Sequence, residues 1–139
     1  MDLKAFLKQN KIKKENRFFK ATKSIVDDKG EPIEWEIRAI STRENEKLRE
    51  SCTTQRKSKY GQVQTTVDDN LYLAKLIANS VVFPDLNNKE LQDSYGVMTP
   101  EDLLREILDN PAEYNALGNF IQDNLQGVDV NEQIKIAKN

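Results

Sequence analysis

NLYLAKLIANSVVFPDLNNKELQDSYGVMTPEDLLREIL, residues Asn70 to Leu108, carries the punctuation on which the fold is read. Leu73, Leu76, Ile77 and Val81 recur at helical spacing, which predicts a helix over Asp69 to Phe83. Pro84 closes it, because proline lacks an N–H and disfavours helix at the residue before it. Asn87 and Glu90 then stand at capping-box spacing, Leu86 is placed to staple against Leu91, and Gly96 occupies a left-handed C-terminal position. Thr99 caps a helix that starts at Pro100, with Glu101 and Asp102 in its positive first turn and Met98 and Leu103 as a second staple. Leu103, Leu104, Ile107 and Leu108 form its buried stripe. Asn110, Pro111 and Glu113 repeat the start signal, and Leu117, Ile121 and Leu125 mark the inner face of a last helix ending near Gly127. Three short helices in series, joined by a few residues each, predict a compact α-hairpin stack.

Upstream the period changes from helical to alternating. Phe18 to Val26 is rich in aromatic and β-branched residues, Asp27 to Pro32 supplies turn chemistry, and a second run follows from Ile33 to Ile40. In that run Ile33, Trp35, Ile37 and Ala39 point one way and Glu34, Glu36 and Arg38 the other, as a half-buried strand requires. Trp35 is therefore a core anchor. Ser41 and Glu44 form a capping box that opens a charged helix running to about Cys52. Thr53 to Gly61, polar and basic without a period, reads as a loop; Gln62 to Val67 alternates as a third short strand. The fold class is α+β: an N-terminal β-hairpin packed with a C-terminal stack of short α-helices.

The division along the chain is a basic arm over residues 1–17, a single α+β domain over 18–127, and a polar tail over 128–139. In the arm, Leu3, Phe6 and Leu7 lie on one face of a short helix, followed by a Lys-rich stretch with little apolar surface. Two readings are open: a terminal helix packed permanently on the hairpin, or a partner-binding element that docks elsewhere.

Composition limits the function classes. A hydrophobic fraction of 37% with 32% charged residues describes a thin core beneath a heavily solvated surface. Lys and Arg total 21 against 23 Asp and Glu, so a net charge of −2 offers no global attraction for nucleic acid. The charges are unevenly placed, with a basic N-terminal end and an acidic stretch from Pro84 to Gln126 opposed only by Lys89 and Arg105. One cysteine, Cys52, excludes an intramolecular disulfide and fits a cytoplasmic setting. No signal-peptide pattern opens the chain, and the most apolar stretch, Leu71 to Phe83, is too short and polar to span a bilayer.

With no histidine, the usual general base near neutral pH and the commonest metal ligand are missing. Asp27-Asp28, Asp68-Asp69 and Glu101-Asp102 sit at turns or helix starts, where acids satisfy free N–H groups, and Asp68 to Asn70 lack the spacing of a calcium loop. The glycines are isolated, so no phosphate-cradling loop can be drawn. Arg49 and Arg56 flank Cys52 in sequence, but no base or resolving cysteine accompanies it. The reading is non-enzymatic, with no catalytic, cofactor or metal residues. An alternative is nucleic-acid binding or regulation, using the basic arm and the Arg56 to Tyr60 loop, RKSKY, whose cations would meet phosphates while Tyr60 stacks on a base.

DDKGEPIEWEIRAIS (Asp27 to Ser41), the Asn70 to Leu108 stretch and NPAEYNALGNFIQ (Asn110 to Gln122) resemble, in order and spacing, the XkdN-like tail assembly chaperones of tailed phages and defective prophages. The resemblance covers Asp2 to Gly127 and stops at the tail from Val128. It implies a protein of the bacterial cytoplasm that binds the tape measure protein, keeps its apolar helical segments soluble, helps recruit tail tube subunits and is absent from the mature virion. It also implies a longer form of the same chain made by frameshifting as a partner. Ala137, Lys138 and Asn139 are compatible with a slippery run of codons, which the nucleotide sequence would reveal.

Overall fold

The computed structural model describes residues 2–125, with side chains through Asp123. The side chain of Leu125, a helix end near Gly127, the polar tail and Ala137 to Asn139 lie outside the described residues. The chain forms two small antiparallel sheets and five α-helices within the described residues, an α+β fold with the hairpin N-terminal and the helices C-terminal.

One helix organises the rest. Asp69–Ser80 (α2) begins where Asp68 accepts the Leu71 N–H at 3.1 Å and buries Ala74, Leu76, Ile77, Ala78 and Ser80. Thr42–Ser51 (α1), Pro100–Ile107 (α4) and Pro111–Leu125 (α5) all contact it. Leu103, Leu104, Leu117 and Ile121 join Ile77 in the fully buried centre. The predicted stack is thus assembled on α2. α5 packs against α2 at Gly118, where a Cβ would meet Cδ1 of Ile77 at 3.4 Å and Cδ1 of Leu73 at 3.5 Å, about van der Waals contact.

The main sheet has the order β1-β2-β5, formed by Arg17–Phe19 (β1), Trp35–Ile37 (β2) and Val81–Phe83 (β5). The hairpin strands are shorter than the composition predicts, although an isolated Val26–Pro32 bridge keeps their connection folded back. The alternation of the second run is as expected: Trp35 and Ile37 are buried and Glu34 is exposed.

Two sequence expectations are corrected here. First, the helix predicted to Phe83 stops at Ser80, and Val81 belongs to a strand. The Val81 N–H still bonds to the Ile77 carbonyl, but Arg38 N–H takes the Ser80 carbonyl at 2.8 Å and draws the chain into the sheet. Second, the residues read as a third strand do form one, Val63–Val67 (β4), but it pairs with Thr53–Lys57 (β3), part of the supposed loop, in a separate two-stranded ribbon. Thr53, Thr54, Thr65 and Thr66 favour extended backbone, and a turn through Gly61 at φ +78° closes the hairpin.

Capping signals predict most helix ends correctly. Ser41 and Glu44 make the reciprocal capping box of α1, Thr99 caps α4 through the Asp102 N–H at 3.1 Å, and Asn110 accepts the Ala112 N–H at 2.9 Å. Lys89–Ser94 (α3) is capped by Asn88, one residue beyond the expected Asn87, whose own N–H bonds to Asp85. Its C-terminus is a Schellman motif: Gly96, at φ +68°, donates to Asp93 and Val97 donates to Gln92. The Met98–Leu103 staple does not form, because Met98 is 90% exposed while Leu103 is buried among α2 residues.

Sheet and helices are joined by contacts between β1, the loop after it, and α5. Phe19 stacks on Phe120 with ring centroids 4.5 Å apart. The buried Thr22 hydroxyl and the Lys23 N–H donate to the two carboxylate oxygens of Glu113 at 2.9 and 2.8 Å.

Ile77→Ala should remove about 2–5 kcal/mol of stability, read from urea unfolding, because it opens a cavity that α4 and α5 cannot both close. A second expectation concerns pH. The Arg38 guanidinium donates to both Glu44 oxygens, at 3.2 and 2.8 Å, and the Ser41 N–H adds a further bond at 3.1 Å. With Arg38 the larger influence, these hold Glu44 at about 2, below its ordinary 4.5. A depressed folded-state value means stabilisation that is complete above 4.5 and lost as the pH falls toward 2. Glu44→Gln should therefore lower the urea midpoint near neutral pH, and the gap from wild type should close as the pH approaches 2.

Candidate docking surface

The outer face of the main sheet carries three of the large apolar side chains that the core does not use. Phe18 pairs with Glu36, and Glu36 with Phe83, so the three stand side by side across β1, β2 and β5. Phe18 is 59% and Phe83 54% exposed, flanking a half-buried Glu36 that accepts from Asn16 Nδ2 at 2.8 Å. Val82, the extra residue where the β2–β5 register shifts, is exposed as well. Two aromatic rings and a β-branched side chain are thus open to solvent on one short sheet. Period two explains β1: with Phe19 facing the core, Phe18 faces outward.

The N-terminal arm enters this sheet through β1. Instead of one short α-helix it forms two 3-10 turns, Lys4–Phe6 and Lys8–Asn10, tied by Asn10 Nδ2 donating to the Lys4 carbonyl at 2.7 Å. Leu7 lies between them in extended backbone, at ψ 144°, so Leu3, Phe6 and Leu7 do not share an α-helical face. Phe6 is 80% exposed; Leu3, Leu7 and Ile12 are exposed too, and none of them belongs to the core cluster.

The other residues singled out from the sequence are dispersed. Arg56 and Lys57 lie on β3, and Tyr60 is exposed at the tip of the ribbon. Cys52 is buried at the end of α1, where its N–H bonds to carbonyls of Arg49 and Glu50. The Arg49 guanidinium sits over the Tyr72 ring, 5.6 Å from its centroid. Asp27 Oδ1 accepts the N–H groups of Lys29 and Glu31 and closes its turn. Among the described residues no group of three or more His, Cys, Asp or Glu is placed to hold a metal ion, and no helix is long and apolar enough to cross a membrane.

Two clefts open on the helical side. One, of about 420 Å³, lies between α1 and α2, where the Tyr72 hydroxyl donates to Asn45. The other, of about 450 Å³, is lined by Leu73, Leu108, Arg105 and Tyr114. Burial raises the Tyr114 hydroxyl above its ordinary 10.0, and Arg105 partly opposes the rise. Neither cleft presents a nucleophile beside a base.

Sequence reasoning missed Phe83 and Val82, having assigned both to a helix; the β-branched and aromatic run VVF before Pro84 was the available signal.

Comparison with known proteins places this geometry in a family. The chain is 27% identical to the Phage-like element PBSX protein XkdN of Bacillus subtilis (strain 168), over 99% of this chain and 94% of that protein. It is 26% identical to the protein YqbN of the same bacterium, over 99% and 93% of the two chains. The crystal structure of the protein YqbN superposes with a TM-score of 0.77 at 23% identity, covering 93% of this chain and 98% of that one, a likeness of fold. The family profile matches residues 3–138 and so continues through the tail, where the sequence reading found no likeness. The chain therefore belongs to the Phage XkdN-like tail assembly chaperone protein family.

Proposed function

We propose that this protein acts by binding alone, in the bacterial cytoplasm, as a chaperone for the tape measure protein of its phage or prophage. It keeps apolar helical segments of that protein soluble, helps recruit tail tube subunits, and leaves before the tail is complete. The observation that carries the docking site is the Phe18–Glu36–Phe83 row, which exposes aromatic surface on a sheet whose inner face is anchored by Trp35 and Ile37. Aromatic side chains held on a rigid strand lose little freedom when covered, which suits them as anchors for an amphipathic helix.

Leu3, Phe6 and Leu7 serve as a second contact that closes over the bound segment. Their exposure leaves them available, and the Lys-rich stretch of the arm supplies reach. A frameshifted longer form of the chain would bring the tube subunits, while the form described here holds the tape measure.

Co-expression of the tape measure protein with this chain, followed by affinity capture, tests the reading. Phe18→Asp together with Phe83→Asp should weaken capture by about 30-fold, corresponding to the ~2 kcal/mol of an interface hot spot, with the thermal midpoint little changed. Deleting Met1 to Asn10 should likewise reduce capture and spare the fold, since Leu3, Phe6 and Leu7 are exposed and do not join the core cluster. A tape measure that is equally soluble alone and is not retained by the wild-type protein would sink the proposal. RNA retained in a salt-sensitive complex through Arg56, Lys57 and Tyr60 would favour nucleic-acid binding instead.

A further inference from the structure

The ribbon β3–β4 has no place in the docking surface and is buried on neither face. From Thr54 to Thr66 only Ser58 is more than superficially covered. Its two edges differ in chemistry. β3 reads TTQRK, and its outer edge is guarded by Arg56 and Lys57. β4 reads VQTTV, without charge, proline or glycine, and four of its five residues are β-branched. Natural sheets protect exposed edges with charges, prolines or bulges, so an extended, uncharged, unbulged edge is a surface prepared for another strand.

The direction of the backbone groups on β4 follows from the ladder. Ser58 N–H donates to the Gln62 carbonyl at 2.7 Å and Asp68 N–H to the Cys52 carbonyl at 2.8 Å. Hydrogen-bonded and non-hydrogen-bonded pairs alternate in an antiparallel ladder, and the register is unbroken from Thr53↔Val67 to Lys57↔Val63. The pairs Thr54↔Thr66 and Arg56↔Gln64 are therefore the bonded ones. Val63, Thr65 and Val67 turn their N–H and carbonyl groups away from β3, where no other strand among the described residues pairs with them.

We propose that a second copy of this chain fills that edge. VQTTV reads nearly the same in both directions, so two copies of β4 can pair antiparallel about a two-fold axis at Thr65. Thr65 then faces the partner's Thr65, and Val63 faces the partner's Val67. All three outward-facing positions are matched in that register, giving six backbone hydrogen bonds with none left over. The exposed side chain of Val63 packs on a valine, and Gln64 stands opposite a threonine. Charge selects this edge over the other. In a sheet ordered β3-β4-β4-β3 the two β3 strands lie three strand spacings apart, about 14 Å, beyond the screening length of about 8 Å at physiological salt. Pairing through β3 would set the Arg56 and Lys57 of two copies on adjacent strands. The dimer leaves the Phe18–Phe83 face open, and it stands or falls independently of the chaperone reading.

Sedimentation of the purified full chain over a range of concentrations should show a dimer that dissociates in the micromolar range, as a short strand pairing of small area predicts. Thr65→Lys, which sets two ammonium groups across the two-fold axis, should weaken dimerisation on the order of tenfold or more. Thr54→Lys, on the guarded strand, should leave it intact. Thr65→Cys should oxidise to a covalent dimer, and Thr54→Cys should not; Cys52 is buried and does not compete. Wild-type protein that stays monomeric at every concentration overturns the proposal, as does a dimer weakened equally by the two lysine variants. Cross-linking as efficient at position 54 as at position 65 would do the same.

Discussion

The backbone hydrogen bond from the Arg38 N–H to the Ser80 carbonyl ties the end of α2 to the end of β2, where the β2–β5 pairing begins. The last carbonyls of a helix have no partner within it, and a buried one must find a donor elsewhere. Ser80 lies fully buried at the end of α2, its hydroxyl already committed to the Leu76 carbonyl at 2.7 Å. Taking its donor from the residue after β2 satisfies the helix end and delivers Val81 to the sheet edge in one step. The same Arg38 reaches with its side chain to Glu44 in the capping box of α1. One residue thereby links the end of β2, the start of α1 and the end of α2.

From that junction the proposed docking surface follows. β5 is added to β2 because α2 ends there, and the register it adopts puts Phe83 beside Glu36 and in line with Phe18. The inner side of the same sheet is covered by α5 through Phe19 on Phe120, so among the described residues it is the outer side that stays open. In the proposed docking, the helices serve as scaffold and the short sheet as contact surface. The ribbon β3–β4, inserted between α1 and α2, forms a separate sheet with its own edge, so the proposed association of copies and the proposed docking of a partner use different surfaces.

Local signals were legible wherever a residue acts on its immediate neighbours. Ser41, Thr99, Asn110 and Gly96 act within a few residues of themselves, and each stands where its type predicts. Asn88 in place of Asn87 shows the resolution of such signals: two adjacent asparagines can each cap, both donate their N–H groups to Asp85, and it is the Asn88 side chain that accepts the Leu91 N–H. Met98 marks another limit. Its spacing to Leu103 suits a staple, yet Leu103 is already enclosed by the packing of α4 on α2, and Met98 is left in solvent.

The sequence by itself determined the α+β class, the buried stripes of α2, α4 and α5, the burial of Trp35 and the family to which the chain belongs. The first three rest on periodicity and capping, which are properties of neighbouring residues, and the family rests on the likeness of whole stretches of sequence. Only the tertiary structure decided where α2 stops, which strands pair, and which apolar residues remain outside. Val81, Val82 and Phe83 favour extended backbone by type, but which strand they join is decided by the donor that Arg38 presents from a segment far away in sequence. Thr53 to Lys57 becomes a strand because Val63 to Val67 lies beside it, and Phe18 and Phe83 become neighbours because β2 runs between them. Strand pairing is a long-range condition: each edge must find a partner whose backbone groups match its own, and no local pattern states which partner that will be.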